Sequence, residues 1–355
     1  MIYISLLLLS IIAFGLSFGS CLALRRLAPK LGLIDFSGKE ERKDHHGNPS
    51  LVGGAAIVLS AIIVSTIWFI SPLDNITPLL WGMALYVALG MWDDAKNIPA
   101  LTKLSMQVLI SAGVIYLFDF ALHNLGHLSG NDVFSLGDLA SVFTLICILA
   151  YINAFNMIDG IDGLSGGVAV STFIFLWLIA FTAELIQLQD ILLILTMATL
   201  GFLVLNMRSP LRRKALIFLG DGGSLSISFA IAYCAVSLGN EYSANTALPS
   251  PIIYAFILGY PIFDMLVVMA KRFSKGLSIF AADTSHFHHL LKVRGIKIPL
   301  VPMILIGLSA FYSIAGLLLW KFDVSQNLCL VIWFALLALH YYATRLTEQK
   351  NYRNQ

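Results

Sequence analysis

The sequence predicts an all-α integral membrane protein: one polytopic domain over 1–355 with about 11 transmembrane helices, amino terminus outside and carboxy terminus cytoplasmic. Three observations carry this. Hydrophobic residues make up 58% of the chain and charged ones 12%, against roughly 25% charged in a soluble domain. The apolar residues fall in runs near the ~20 residues that a helix needs to cross a bilayer. With the amino terminus outside, the loops at 25–50, 93–103, 208–223 and 271–300 and the tail from 345 all face inward. These segments hold 21 of the 22 lysines and arginines, leaving only Lys321 for the outer side. Basic residues resist translocation, so that asymmetry sets the orientation.

The elements follow in order. The first run, 2–24, has no basic residue before it and Arg25, Arg26 and Lys30 after it, the polarity of an N-out anchor and not of a cleaved signal peptide. The remaining runs are 51–70, 78–92, 104–119, 138–155, 164–183, 191–207, 224–239, 251–270, 300–320 and 327–344. Helices are expected because lipid offers no partner to backbone amides, and the runs lack the alternation of barrel strands. Cys21, Cys147, Cys234 and Cys329 lie in or at the ends of separate runs without metal or redox spacing, and read as small buried hydrophobes.

Five polar clusters lie between the runs on the inner side. The first holds Asp35, then Arg42, Lys43, Gly47 and the pair Gly53-Gly54. Its plain reading is a solvated loop that enforces topology or meets anionic headgroups; the glycines allow close approach of backbone to a neighbour or ligand. The second is Asp93-Asp94 with Lys96 and Lys103. Adjacent carboxylates repel, so a cation is expected nearby. On a helix they point about 100° apart and serve different partners, and at a helix C-terminus they oppose the macrodipole.

The third runs from Asn153 through Asn156, Asp159-Gly160 and Asp162-Gly163. Spacing of three puts Asn156, Asp159 and Asp162 on one face if helical; the glycines suit a tight loop instead. Hard oxygen donors without thiols favour magnesium, or manganese, over zinc. The fourth, Gly220-Asp221-Gly222-Gly223-Ser224, follows Arg208, Arg212, Arg213 and Lys214 and suits a metal–phosphate site at a helix start; a plain N-cap by Asp221 is the alternative. The fifth is Asp283, His286, His288 and His289, where imidazoles beside basic residues fit an anion better than a closed zinc set. Asp264, inside the ninth run beside Pro261, is either functional or part of a hydrogen-bonded helix break.

Carboxylates for a hard cation, basic groups for phosphates and apolar helices alongside describe a site joining a lipid to a soluble phosphate compound. A transporter or flippase for a phosphorylated substrate is the rival, but the clusters sit at run ends on one side, without a repeat. A membrane scaffold would need no facing clusters of both signs.

Taken together, Asp93-Asp94, the Asn156–Gly163 segment, Gly220–Ser224 and His286–His289 resemble the polyprenyl-phosphate N-acetylhexosamine-1-phosphate transferases, in the branch typified by WecA. The resemblance implies a fold of 11 helices with the amino terminus outside. It implies transfer of a sugar-1-phosphate, N-acetylglucosamine-1-phosphate for this branch, from a UDP-sugar to undecaprenyl phosphate at the cytoplasmic face of a bacterial plasma membrane. UMP is released, and lipid-linked envelope glycan synthesis begins. It implies Mg2+ (or Mn2+) on Asp221 and Asn156, with Asp93, Asp94, Asp159, Asp162 and Lys103 in catalysis. Arg42, Lys43, Asn153, Asp283, His286, His288 and His289 would meet substrate. The expected partners are the lipid phosphate, the UDP-amino sugar and the bilayer, with no nucleic acid; a homodimer stays open. Two departures bear on the sugar: Thr284 stands where the branch has arginine, and Ser278-Ile279-Phe280-Ala281-Ala282 replaces its Ser-Pro-Phe-Ser-Pro. UDP-N-acetylgalactosamine or another UDP-amino sugar is the alternative donor.

Overall fold

The computed structural model describes residues 2–35, 49–69, 76–128, 133–208, 212, 214–244, 247–278 and 285–353. Among them are thirteen α-helices and no strand beyond isolated bridges. In order they are α1 (Ile2–Leu31), α2 (Gly53–Trp68), α3 (Thr77–Lys96), α4 (Ala100–Leu117), α5 (Ala140–Ile158), α6 (Leu164–Thr182) and α7 (Ile186–Asn206). Then come α8 (Gly220–Ala244), α9 (Pro251–Ile257), α10 (Gly259–Ser274), α11 (Phe287–Val293), α12 (Leu300–Lys321) and α13 (Gln326–Arg353).

Every expected run falls on a helix, and the ninth falls on two. Pro261 has no N–H to give the Ile257 carbonyl a turn back, and α9 and α10 meet at 76°. Among the described residues eight helices are long and apolar enough to cross a membrane, or nine with that bent pair. The count falls below 11 because α2 has only 16 residues and α3 ends in Asp93-Asp94-Ala95-Lys96. The helix α11 was not expected; it lies inside the stretch read as a basic loop.

The helix at the centre is α8. Within its most apolar stretch 94% is buried, against 17% for α13. Small residues make this possible. A Cβ at Gly54 of α2 would collide with the backbone of Gly223, and one at Gly90 of α3 with the backbone of Asp221 and Gly222. The first turn of α8 is thus wedged between two helices at backbone contact distance, which only glycine permits. Below it the connections are stitched by backbone bonds: Leu51 N donates to Leu33 O (3.0 Å), Phe218 N to Ser50 O (2.9 Å) and Gly54 N to Leu219 O (3.0 Å). Gly53-Gly54 therefore approaches a neighbouring helix, one of the two uses its sequence allowed.

Candidate active site

The site begins where α3 stops. Asn97 takes a left-handed conformation (φ +52°) and returns its amide to the Asp93 carbonyl at 2.7 Å, and Pro99 follows. The turn sends α4 back so that Lys103, in its first turn, faces the end of α3. Lys103 Nζ lies 2.8 Å from Asp93 Oδ2 and donates to Asp221 Oδ2 as well. Asp93 Oδ1 accepts the Ile98 amide at 3.0 Å.

Asp94 turns elsewhere, as the 100° separation required. Its carboxylate accepts the amides of Asp221 (3.1 Å) and Gly222 (3.3 Å), two donors that the start of α8 leaves without an intrahelical partner. The acidic end of α3 thus meets the positive end of the α8 dipole, which offsets the unfavourable placement on its own helix. Because Asp94 does the capping, Asp221 is not needed as an N-cap, and its side chain joins Lys103 and Asn156. Asn156 Nδ2 donates to Asp221 Oδ1 at 2.9 Å and to Ser224 Oγ at 2.7 Å.

Asp159 to Gly163 form the tight loop and not the helical face: α5 ends at Ile158, and Gly163 (φ +83°) donates to Asn206 Oδ1 at 2.7 Å. Asp162 is paired with Arg208 Nε at 2.6 Å, and Asp159 accepts the Ser165 hydroxyl. Asp93, Asp94, Asp159, Asp162, Asp221 and His289 line one cavity of about 790 Å³. Burial, then the Asp221 charge beside it, raises the Asp94 carboxyl to about 8. Burial first, opposed by the Ser165 bond and reinforced by Asp221 and Asp162, raises Asp159 to about 7. Burial followed by Asp221 also raises Asp93.

The donor chemistry suits a hard divalent ion. Among the described residues no three His, Cys, Asp or Glu close around one point. Mg2+ needs no such cage, since it is held by one or two carboxylates, water and substrate phosphates. Asp221 supplies a carboxylate, and a half-turn of the Asn156 amide presents Oδ1 to the same place.

Of the three histidines, His289 lines the cavity. His288 is 1% exposed, neither ring nitrogen has a hydrogen-bond partner among the described residues, and a Cβ on Gly160 would come within 2.5 Å of its Nε2. Burial, then His289, lowers its pKa to about 3. His286 is turned to Asp264, Nδ1 to Oδ2 at 2.7 Å. This resolves Asp264: it belongs to a hydrogen-bonded network beside the helix break.

Asn153 stands apart from the Asp221 group. One turn up α5, it donates to Gln107 Oε1 (2.9 Å) and the Leu149 carbonyl (2.8 Å), a link between helices and not a wall of the cavity. Arg42, Lys43, Gly47, Asp283 and Thr284 lie outside the described residues. Sequence reading missed Ser165 and Asn206; the signal for Asn206 was a lone amide closing an apolar run.

The profile of glycosyl transferase family 4 matches residues 76–239, the stretch that carries Asp93 through Asp221. The undecaprenyl-phosphate alpha-N-acetylglucosaminyl 1-phosphate transferase of Yersinia pestis is 30% identical over 276 residues, covering 76% of this chain and 72% of its own length. The chain belongs to glycosyl transferase family 4. A second family-4 relative, the probable undecaprenyl-phosphate N-acetylglucosaminyl 1-phosphate transferase of Bacillus subtilis (strain 168), is 30% identical over 315 residues, 86% of this chain and 83% of that one. The Escherichia coli (strain K12) protein with the Yersinia name is 29% identical over 272 residues. The family-4 profile ends before Asp264 and the histidines.

Proposed function

We propose that this family-4 chain transfers N-acetylglucosamine-1-phosphate from UDP-N-acetylglucosamine to undecaprenyl phosphate, releasing UMP, at the cytoplasmic face of a bacterial plasma membrane. The observation that carries the reading is Lys103 placed between Asp93 and Asp221, with Asn156 on Asp221, the two carboxylates lining an acidic cavity. The names of relatives from an enterobacterium and a bacillus support it. So does the basic-residue asymmetry, which favours about 11 crossings with the amino terminus outside; α2 and α3 complete that count, their polar ends in the interface.

In this reading an oxygen of the lipid phosphate attacks the β-phosphorus of the donor. A P–O bond forms there, the bond from the β-phosphorus to the α–β bridging oxygen breaks, and UMP leaves with the electron pair. The nucleophile is already largely ionised at neutral pH, so Asp93 need not act as a strong base. It holds Lys103, whose ammonium neutralises phosphate oxygens. Asp94 fixes the start of α8 and thereby Asp221. Asp159 and the Arg208-held Asp162 shape the nucleotide side. A divalent ion held by Asp221 and Asn156 would neutralise diphosphate charge when bound.

The test is a donor panel: purified chain, undecaprenyl phosphate, Mg2+ and UDP-N-acetylglucosamine, UDP-N-acetylgalactosamine or another UDP-amino sugar, with UMP release followed. Transfer that chelation abolishes is expected, fastest with UDP-N-acetylglucosamine. No UMP release with any donor sinks the reading. Label exchange between UMP and the UDP-sugar without lipid would replace direct attack by a covalent aspartyl route.

A further inference from the structure

Asp264 repeats for α11 what Asp94 does for α8. It sits on α10, three residues past Pro261, and is fully buried. Besides facing His286 Nδ1, it accepts the Phe287 amide on Oδ1 at 2.9 Å. Phe287 is the first residue of α11, so its N–H has no partner within the helix; His286, the N-cap residue, makes no capping bond with its own side chain. Behind the carboxylate, His340 Nε2 of α13 stands 4.0 Å from Oδ1, and its Nδ1 lies 3.0 Å from the Tyr312 hydroxyl.

An apolar residue would fill this place at lower desolvation cost, so the carboxylate is there for its bonds. Those bonds have a direction. An ionised carboxylate only accepts, which puts a hydrogen on His286 Nδ1 and fixes the ring plane. They also have a consequence for the cavity. The short helix α11 carries His288, packed on Gly160 of the aspartate loop, and His289, which lines the cavity.

We propose that Asp264 is a positioning residue: through His286 and the Phe287 amide it sets where α11 begins, and so where His288 and His289 stand, without touching substrate. Its kinetic consequence rests on the transferase reading above; its structural consequence does not. Because His288 packs on Gly160, between the two aspartates assigned above to the nucleotide side, disturbing it weakens the sugar-nucleotide donor and spares the lipid phosphate.

The experiment compares the full-length wild type with Asp264→Asn, which keeps one acceptor, and Asp264→Leu, which keeps none. Hydrogen exchange is read peptide by peptide in detergent, and KM is measured for donor and lipid separately. The expected result is exchange at 287–293 at least tenfold faster, with α5 and α8 peptides unchanged. Donor KM should rise on the order of tenfold in Asp264→Asn and more in Asp264→Leu, while lipid KM stays within twofold. Unchanged exchange and unchanged donor KM in both variants overturn the proposal. So does faster exchange across every helix in both, or an equal rise in both KM values. If wild type releases no UMP yet 287–293 alone is loosened in the variants, the anchor stands and the transferase reading falls.

Discussion

Asp94 caps the helix that carries Asp221. Its carboxylate takes the amides of Asp221 and Gly222, and the two aspartates come from positions 127 apart in the chain. Asp94→Ala leaves both amides without that acceptor, a cost of about 1–3 kcal/mol, whereas Asp94→Asn keeps an acceptor and loses less. Thermal melts in detergent should rank wild type above Asp94→Asn above Asp94→Ala. An alanine variant as stable as wild type would remove the capping role.

Lys103 is paired with both Asp93 and Asp221, so its loss sets two carboxylates against each other. Lys103→Gln should lower kcat on the order of 100-fold, the scale seen when one preorganised charge partner is removed. Steady-state UMP release measures it, and a change within threefold would contradict the placement.

Asn156→Ala removes the Asp221 neighbour at 2.9 Å that offers the second hard oxygen. The Mg2+ concentration for half-maximal transfer should rise at least tenfold, with donor KM at saturating metal little changed. Equal metal dependence in both proteins would take Asn156 out of the metal site.

His288 gives a stability prediction with a definite sign. Its folded pKa, about 3, lies below the ordinary imidazole value of 6.5, so the fold favours the neutral ring. That contribution is fully present above pH 6.5 and is lost as pH falls from there toward 3, by at most about 1.4 kcal/mol per pH unit. Melting temperature between pH 6.5 and 4 should fall more steeply in wild type than in His288→Gln. Parallel curves would show that the imidazole does not titrate against the fold.

At Gly54 and Gly90 a methyl group meets backbone, which cannot rotate away. Gly54→Ala and Gly90→Ala should each lower stability by at least about 1–3 kcal/mol and displace the start of α8. Melts on the purified variants decide this; a Gly15→Ala control, with nothing within 4 Å of its Cβ, should behave as wild type.

The helices were legible because a bilayer dictates run length, and each run fell on a helix, the ninth on two. Which helix lies at the centre was not. The α12 stretch has mean hydropathy 2.0 and is 28% buried, whereas α8 has 1.4 and is 94% buried. Lipid takes the most apolar faces, and small residues such as Ser224, Ser226 and Ser228 go inside. The helix α11 was hidden because Asp264, which holds its start, stands 23 positions before Phe287. The carboxylate clusters stood out by their chemistry. Asn153 and Asn156, alike in type and one turn apart, could be told apart only by their neighbours, Gln107 for one and Asp221 for the other.

Helices α8 and α11 both begin on a carboxylate lent by another helix. The opening amides of α8 are therefore matched only when α3 lies alongside it. The cavity is closed by long-range contacts and not by any contiguous stretch. A chain severed between α3 and α8 would regain it only if its halves found each other again.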